Sequence, residues 1–366
     1  MDERKKVIAI VGATGTGKSA LADALAAELG GELVSADSIQ IYKGMDIGTA
    51  KTPVAERSVS YHCMDLVDPD FAYTAALYQR EARRVIDGLL DSGKPAVVCG
   101  GTGLYVRAAL DDFRFDENRE LYKERGREGI GGETADVASV EAAPVLSPLE
   151  KESHPISTSS LSMAKRRSDD LRQQLNAQAE KLGSEAFYAL LAERDPESAA
   201  LIHPNNVRRV VRAFEFLQAG SSYAKQHTGF ESFKAVYPTH FIGISVEHEV
   251  LYESIERRVD AMMAAGLLDE VESLIDAGHK DAPAIRQGIG YKELIPVLDG
   301  SRSLDEAVAE IKQSTRRYAK RQRTWFKRDP RIVWIDATDE HRMRLAGEMD
   351  GGTFTRELLD KAFGVL

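Results

Sequence analysis

The chain has 366 residues, 43% hydrophobic and 29% charged, with a formal net charge of −10, the make-up of an ordinary globular protein larger than one small domain. No apolar run approaches the ~20 residues that cross a bilayer, and the run at residues 7–11 is too short for a secretory signal, so a cytoplasmic protein with no membrane partner is expected. Two cysteines, Cys63 and Cys99, lack metal-ligand spacing and argue against a zinc site or a disulfide framework.

In chain order, residues 7–11 read as a buried strand and residues 18–29 as a helix with Leu21, Leu25 and Leu29 on one face. Residues 33–36 predict a second strand, 73–90 a helix, and 96–99 a strand ending at Gly100-Gly101. Strands alternating with helices imply an α/β fold, a P-loop NTPase-like parallel sheet flanked by helices. From about residue 116 to 167 the pattern gives way to Gly, Ser, Glu and Pro, and disorder is expected there. Helical periodicity resumes at 168–182, 185–192 and 207–219, so an inserted helical region is placed at 113–204, between core segments 1–112 and 205–366. A strand at 241–246, helices at 251–277 and 304–327 and a last strand at 332–335 complete the core.

Between the first strand and helix, Gly12-Ala13-Thr14-Gly15-Thr16-Gly17-Lys18-Ser19 matches the complete G-x-x-x-x-G-K-[ST] pattern. Its glycines turn successive N–H groups inward, the helix N-terminus adds positive potential and Lys18 a mobile charge, so a phosphate or pyrophosphate is expected there. Ser19 is placed to ligate Mg2+ through its hydroxyl. ATP and GTP are the default occupants, yet an NTPase normally carries an aspartate at the end of a neighbouring strand for its magnesium. The strand at 96–99 ends in glycines instead, which weakens that reading.

The acidic average argues against a polyanionic partner. The C-terminal helix argues the reverse: residues 312–331 hold Lys312, Arg316, Arg317, Lys320, Arg321, Arg323, Lys327, Arg328 and Arg331 against the single acid Asp329, a local balance of +8. Arg316, Lys320, Arg323 and Lys327 fall at helical spacing along one stripe, which suits a phosphate backbone.

After the second strand comes Ser35-Ala36-Asp37-Ser38-Ile39-Gln40-Ile41-Tyr42, followed by Gly44 and then Ile47-Gly48-Thr49-Ala50-Lys51. Here the chain resembles the tRNA dimethylallyltransferases. Further matches are Gly100 to Tyr105, His203-Pro204-Asn205, Gly288 to Glu293, and Thr315 to Gln322 followed by Trp325. Three departures stand out: Ala13 where many members have proline, Cys63 where a second histidine is common after His62, and the long polar insertion.

The resemblance implies transfer of a dimethylallyl group from dimethylallyl pyrophosphate to the exocyclic N6 of the adenosine 3′ of the anticodon in tRNA, by a monomer. The amine of adenine is a poor nucleophile whose proton must be taken, and Asp37 is the expected base, a magnesium-organising or capping role being the alternative. Lys18, Arg316 and Arg321 are expected to stabilise the departing pyrophosphate. Ser38, Ile39, Gln40 and Thr102 are expected near the base turned out of the anticodon stem-loop, and Arg208 and Arg209 near RNA phosphates. His203 is expected to cap or pack. Prenylation of a free adenine nucleotide and a small-molecule P-loop kinase remain alternatives at this stage.

Overall fold

The computed structural model describes residues 6–112, 115, 158–225 and 232–366. They fall into two compact units, Met1–Asp112 with Phe233–Leu366, and Phe113–Ser232. In the first unit β1 (Val7–Gly12), β2 (Glu32–Ser35), β3 (Tyr61–His62), β4 (Ala96–Gly100), β5 (Thr239–Ser245) and β6 (Ile332–Asp336) form one sheet. The order is β3-β2-β4-β1-β5-β6 and every neighbouring pair is parallel. Strand β1 lies between β4 and β5 and is buried along its whole length, as its unbroken apolar sequence requires of a strand covered on both faces.

Helices α1 (Lys18–Leu29), α2 (Ala75–Asp91) and α3 (Gly103–Leu110) belong to this sheet unit. The second unit contains α4 (Thr158–Leu182), α5 (Ser184–Arg194) and α6 (Val207–Gln218). The sheet unit resumes with α7 (His248–Ala264), α8 (Leu267–Leu274), α9 (Leu304–Phe326), α10 (Thr338–Ala346) and α11 (Gly351–Phe363). One core cluster joins β1, α1 and β5 to the C-terminal helices through Ile8, Ile10, Leu21, Leu25, Ile242, Phe354 and Leu358.

Three boundaries differ from the sequence reading. The helical unit runs to Ser232 rather than 204, because Val210, Val211 and Phe214 of α6 pack with Phe187 and Leu191 of α5 in that unit's own core. The helix expected at 251–277 is two helices, interrupted where Gly266 takes a left-handed φ of 95° and ends the first. Helix α4 begins at Thr158, inside the stretch expected to be disordered, and the rest of that expectation, 116–157, lies outside the described residues. Strand β3 and helices α3, α10 and α11 were not anticipated; β3 is two residues long, and α10 follows a strand read as the last element. Both cysteines are buried and free, as the sequence suggested.

Candidate active site

The phosphate loop leaves β1 and enters α1 through Gly17, whose φ of 87° is left-handed and whose added Cβ would lie 2.7 Å from the Phe354 ring. Only glycine satisfies both conditions. No side chain caps α1 and no acid lies in its first turn, which leaves its leading N–H groups suited to an anion. The loop is folded on itself by the Ala13 carbonyl, which accepts from Thr16 Oγ1 (2.9 Å) and Lys18 Nζ (2.8 Å). Gln322 of α9 ties it down, its Oε1 accepting from Thr14 N and its Nε2 donating to Gly101 O, both at 2.8 Å. Burial pulls the Lys18 ammonium below its ordinary range, with the charge of Asp37 acting in the opposite direction.

Sheet order brings Asp37 to this loop. Ile10 of β1 and Ser35 of β2 both register with Cys99 of the intervening β4, so the two outer strand ends lie about 10 Å apart. Between them β4 ends in Gly100, where a Cβ would stand 2.1 Å from the Ala36 carbonyl; its neighbour is Gly101. That strand end carries bare backbone in place of a side chain, against which the Ala36 carbonyl, one residue before Asp37, packs. Asp37 Oδ1 accepts from Ile39 N (2.9 Å) and more weakly from Gln40 N (3.4 Å), fixing a tight turn. Among the described residues Oδ2 has no hydrogen-bond partner. Asp37, Lys18, Ser19, Gln40, Arg258 and Tyr318 help line one cavity of about 70 Å³.

The other expected residues divide into those at the cavity and those supporting it. Of the loop, Thr14, Lys18 and Ser19 line it, while Gly12, Ala13, Gly15, Thr16 and Gly17 shape the turn. Gln40 lines it with its amide already engaged, Oε1 by Ser35 Oγ (2.9 Å) and Nε2 by Thr49 O (3.1 Å). Thr102 does not line it; its Oγ1 accepts from Ser38 N (3.1 Å) and so holds the turn that carries Asp37. Ser38 and Ile39 serve that same turn. Lys51, buried, donates to Tyr42 O (2.6 Å) and pairs with Asp46 and Asp65, so the end of the Ile47-to-Lys51 run is architectural. In the helical unit Arg208 and Arg209 are exposed in the first turn of α6, capped by Asn206, and His203 Nδ1 accepts from Asn205 N (3.2 Å).

Two placements require correction. Arg316 is not at the cavity, because its guanidinium pairs with Glu256 of α7 and sits 5.7 Å from the Tyr252 ring. Arg321 is exposed over the Tyr318 ring at 5.6 Å and does not line the cavity either. The guanidinium that does line it is Arg258 of α7, absent from the sequence-based candidates. Burial lowers its pKa, and the charge of Asp37 partly offsets this. Its signal was periodicity: Arg258 continues the inward stripe of Leu251 and Ile255 at steps of four and three.

On α9, Lys312 and Arg316 are neutralised by Asp260 and Glu256. Arg317, Lys320, Arg321, Arg323, Lys327 and Arg328 have no acidic partner among the described residues. No cluster of three His, Cys, Asp or Glu capable of holding a metal occurs among them. The Ser19 hydroxyl at the cavity fits a hard cation that takes most of its ligands from phosphate oxygens and water.

The IPP transferase family model matches residues 40–148 and 154–329, and the isopentenyl transferase model residues 5–60. The chain belongs to the IPP transferase family. It is 40% identical over 346 residues to a tRNA dimethylallyltransferase of Geobacillus thermodenitrificans, covering 94% of each chain. To that of Bacillus subtilis it is 37% identical over 343 residues, covering 93% of this chain and 94% of the other. Among solved structures it is similar to a tRNA isopentenylpyrophosphate transferase of Bacillus halodurans, with TM-score 0.59, 34% identity and coverage of 98% and 96%. A eukaryotic dimethylallyltransferase acting on tRNA superposes with TM-score 0.68 at 26% identity, covering 92% of this chain and 75% of that one. Among the described residues no helix is long and apolar enough to cross a membrane.

Proposed function

We propose that this family member transfers a dimethylallyl group from dimethylallyl pyrophosphate to N6 of the adenosine immediately 3′ of the anticodon in tRNA, acting as a monomer in the cytoplasm. The observation that carries the reading is the Asp37 carboxylate, with one oxygen outside any hydrogen bond among the described residues, sharing a cavity with an uncapped helix N-terminus, Lys18 and Arg258. Two needs of the reaction meet there. The donor diphosphate is held by loop N–H groups, Lys18 and Arg258, which stabilise negative charge as the allylic C–O bond breaks. The adenine amine forms the new C–N bond and gives its proton to Asp37 Oδ2.

Magnesium fits the Ser19 hydroxyl and, when bound, would neutralise diphosphate charge. The turn from Asp37 to Gln40 is pinned by Thr102 and Thr49, and would face the edge of the flipped base. The uncompensated cations of α9, with Arg208 and Arg209 on the helical unit, supply contacts for RNA phosphates.

The test is mass analysis of nucleosides from tRNA incubated with the protein, Mg2+ and dimethylallyl pyrophosphate. Isopentenyladenosine next to the anticodon is expected. Modification of AMP in preference to tRNA, or phosphate transfer from ATP with no prenylated nucleoside, would overturn the proposal.

A further inference from the structure

The motif residue Trp325 is left without a role by the chemistry above. It is 39% exposed, unusual for so large an apolar side chain. Along α9, Tyr318, Gln322 and Trp325 follow at steps of four and three and share one face. The first two line the cavity, and Trp325 stands one turn farther along the same face, outside it. Its position there is built: a Cβ on Gly103 would lie 2.1 Å from indole Cδ1 and Nε1, so the chain keeps bare backbone where the ring edge rests. Gly103 directly follows Gly101-Thr102, which border the cavity and the Asp37 turn.

The surroundings of Trp325 are cationic. Arg321 lies one turn before it on the helix, Lys327 caps the helix and Arg328 follows in the turn beyond, and none has an acidic partner among the described residues. The exposed apolar side chains Val54, Phe71 and Met343 lie outside α9, and Leu304, at its start, lies about four turns from Tyr318. An exposed aromatic among unpaired guanidinium and ammonium groups is the chemistry that holds unstacked nucleobases on a phosphate backbone.

We infer that Trp325 is a stacking platform for a nucleobase adjacent to the reacting adenosine, holding the single-stranded loop open at the cavity mouth. The inference rests on the proposed tRNA acceptor. Once the target base leaves its stack, its neighbour loses a partner, and the indole replaces it. Stacking tolerates any base, so Trp325 contributes to loop affinity without setting sequence preference.

The test uses the full chain with Trp334→Phe, which leaves Trp325 as the sole tryptophan of two, and an anticodon stem-loop RNA as probe. Quenching of the remaining indole fluorescence on RNA addition is expected, with no comparable quenching by inorganic pyrophosphate. In the otherwise unaltered chain, Trp325→Ala should raise KM for the stem-loop about 5- to 150-fold, the range for one lost base–aromatic stack. The donor KM should stay within about twofold and Trp325→Phe should restore most of the loss. Transfer to the stem-loop with neither quenching nor a KM change in Trp325→Ala overturns the inference and leaves the proposed function standing. A rise in donor KM equal to that for RNA also overturns it, since Trp325 would then act only by packing on Gly103. Absence of any transfer by the unaltered protein removes the proposed function and this inference together.

Discussion

Replacing Gln322 with leucine isolates the contribution of α9 to the phosphate loop. The side chain is 5% exposed and makes two hydrogen bonds of 2.8 Å, one to the Thr14 N–H of the loop and one to the Gly101 carbonyl at the end of β4. Leucine nearly conserves the volume but satisfies neither group. Each unpaired buried backbone group costs about 1–3 kcal/mol, and the apolar replacement recovers part of that, so a net loss of about 2–4 kcal/mol is expected. For a unit of this size each kcal/mol corresponds to about 2–4 °C, and a fall in Tm of roughly 5–15 °C follows. Because Thr14 and Lys18 both line the cavity, the loosened loop should also raise KM for the donor diphosphate more than KM for RNA. Urea unfolding with and without dimethylallyl pyrophosphate, together with initial rates at varied donor, measures both effects. A stability change under about 0.5 kcal/mol with an unaltered donor KM would show that the two hydrogen bonds do not organise the loop.

Three further outcomes are expected. Asp37→Ala should leave donor affinity within a few-fold while transfer falls about 10²- to 10⁴-fold, the usual contribution of a positioned base; full turnover in single-turnover assays would remove Asp37 from that role. Arg258→Lys should raise donor KM about tenfold or more, since an ammonium cannot grip diphosphate oxygens in the two-pronged manner of a guanidinium; equal donor KM values in steady-state kinetics would refute this. Binding of tRNA should weaken steeply with salt, and Lys320→Glu with Arg323→Glu should make the plot of log affinity against log salt shallower by about 0.7–0.9 for each phosphate contact removed; parallel plots would show that these cations do not touch the backbone.

Much of the site was legible because its parts are local in sequence. The phosphate loop needs only a buried strand, glycines and a helix start, and each has its own signature between Val7 and Leu29. Asp37 was legible as a carboxylate closing the next strand. Arg316 was misplaced because helical spacing records a shared stripe but not what faces it, and Glu256, sixty residues away, faces it. Arg258 was missed for the same reason in reverse: nothing next to it in the chain marks a charged residue on an apolar stripe as lining a cavity.

The residue types alone determined the alternation of strand and helix, the glycine loop, the basic character of α9 and the family motifs, because each depends on neighbours within a few positions. Tertiary structure decided the rest. Inserting β4 between β1 and β2 sets Asp37 one strand away from the phosphate loop, and the bare end of β4 keeps the space between them open. Which unit claims α6, which cation lines the cavity and which is cancelled by an acid are settled by contacts between residues distant along the chain, where packing and charge pairing, rather than periodicity, set the outcome.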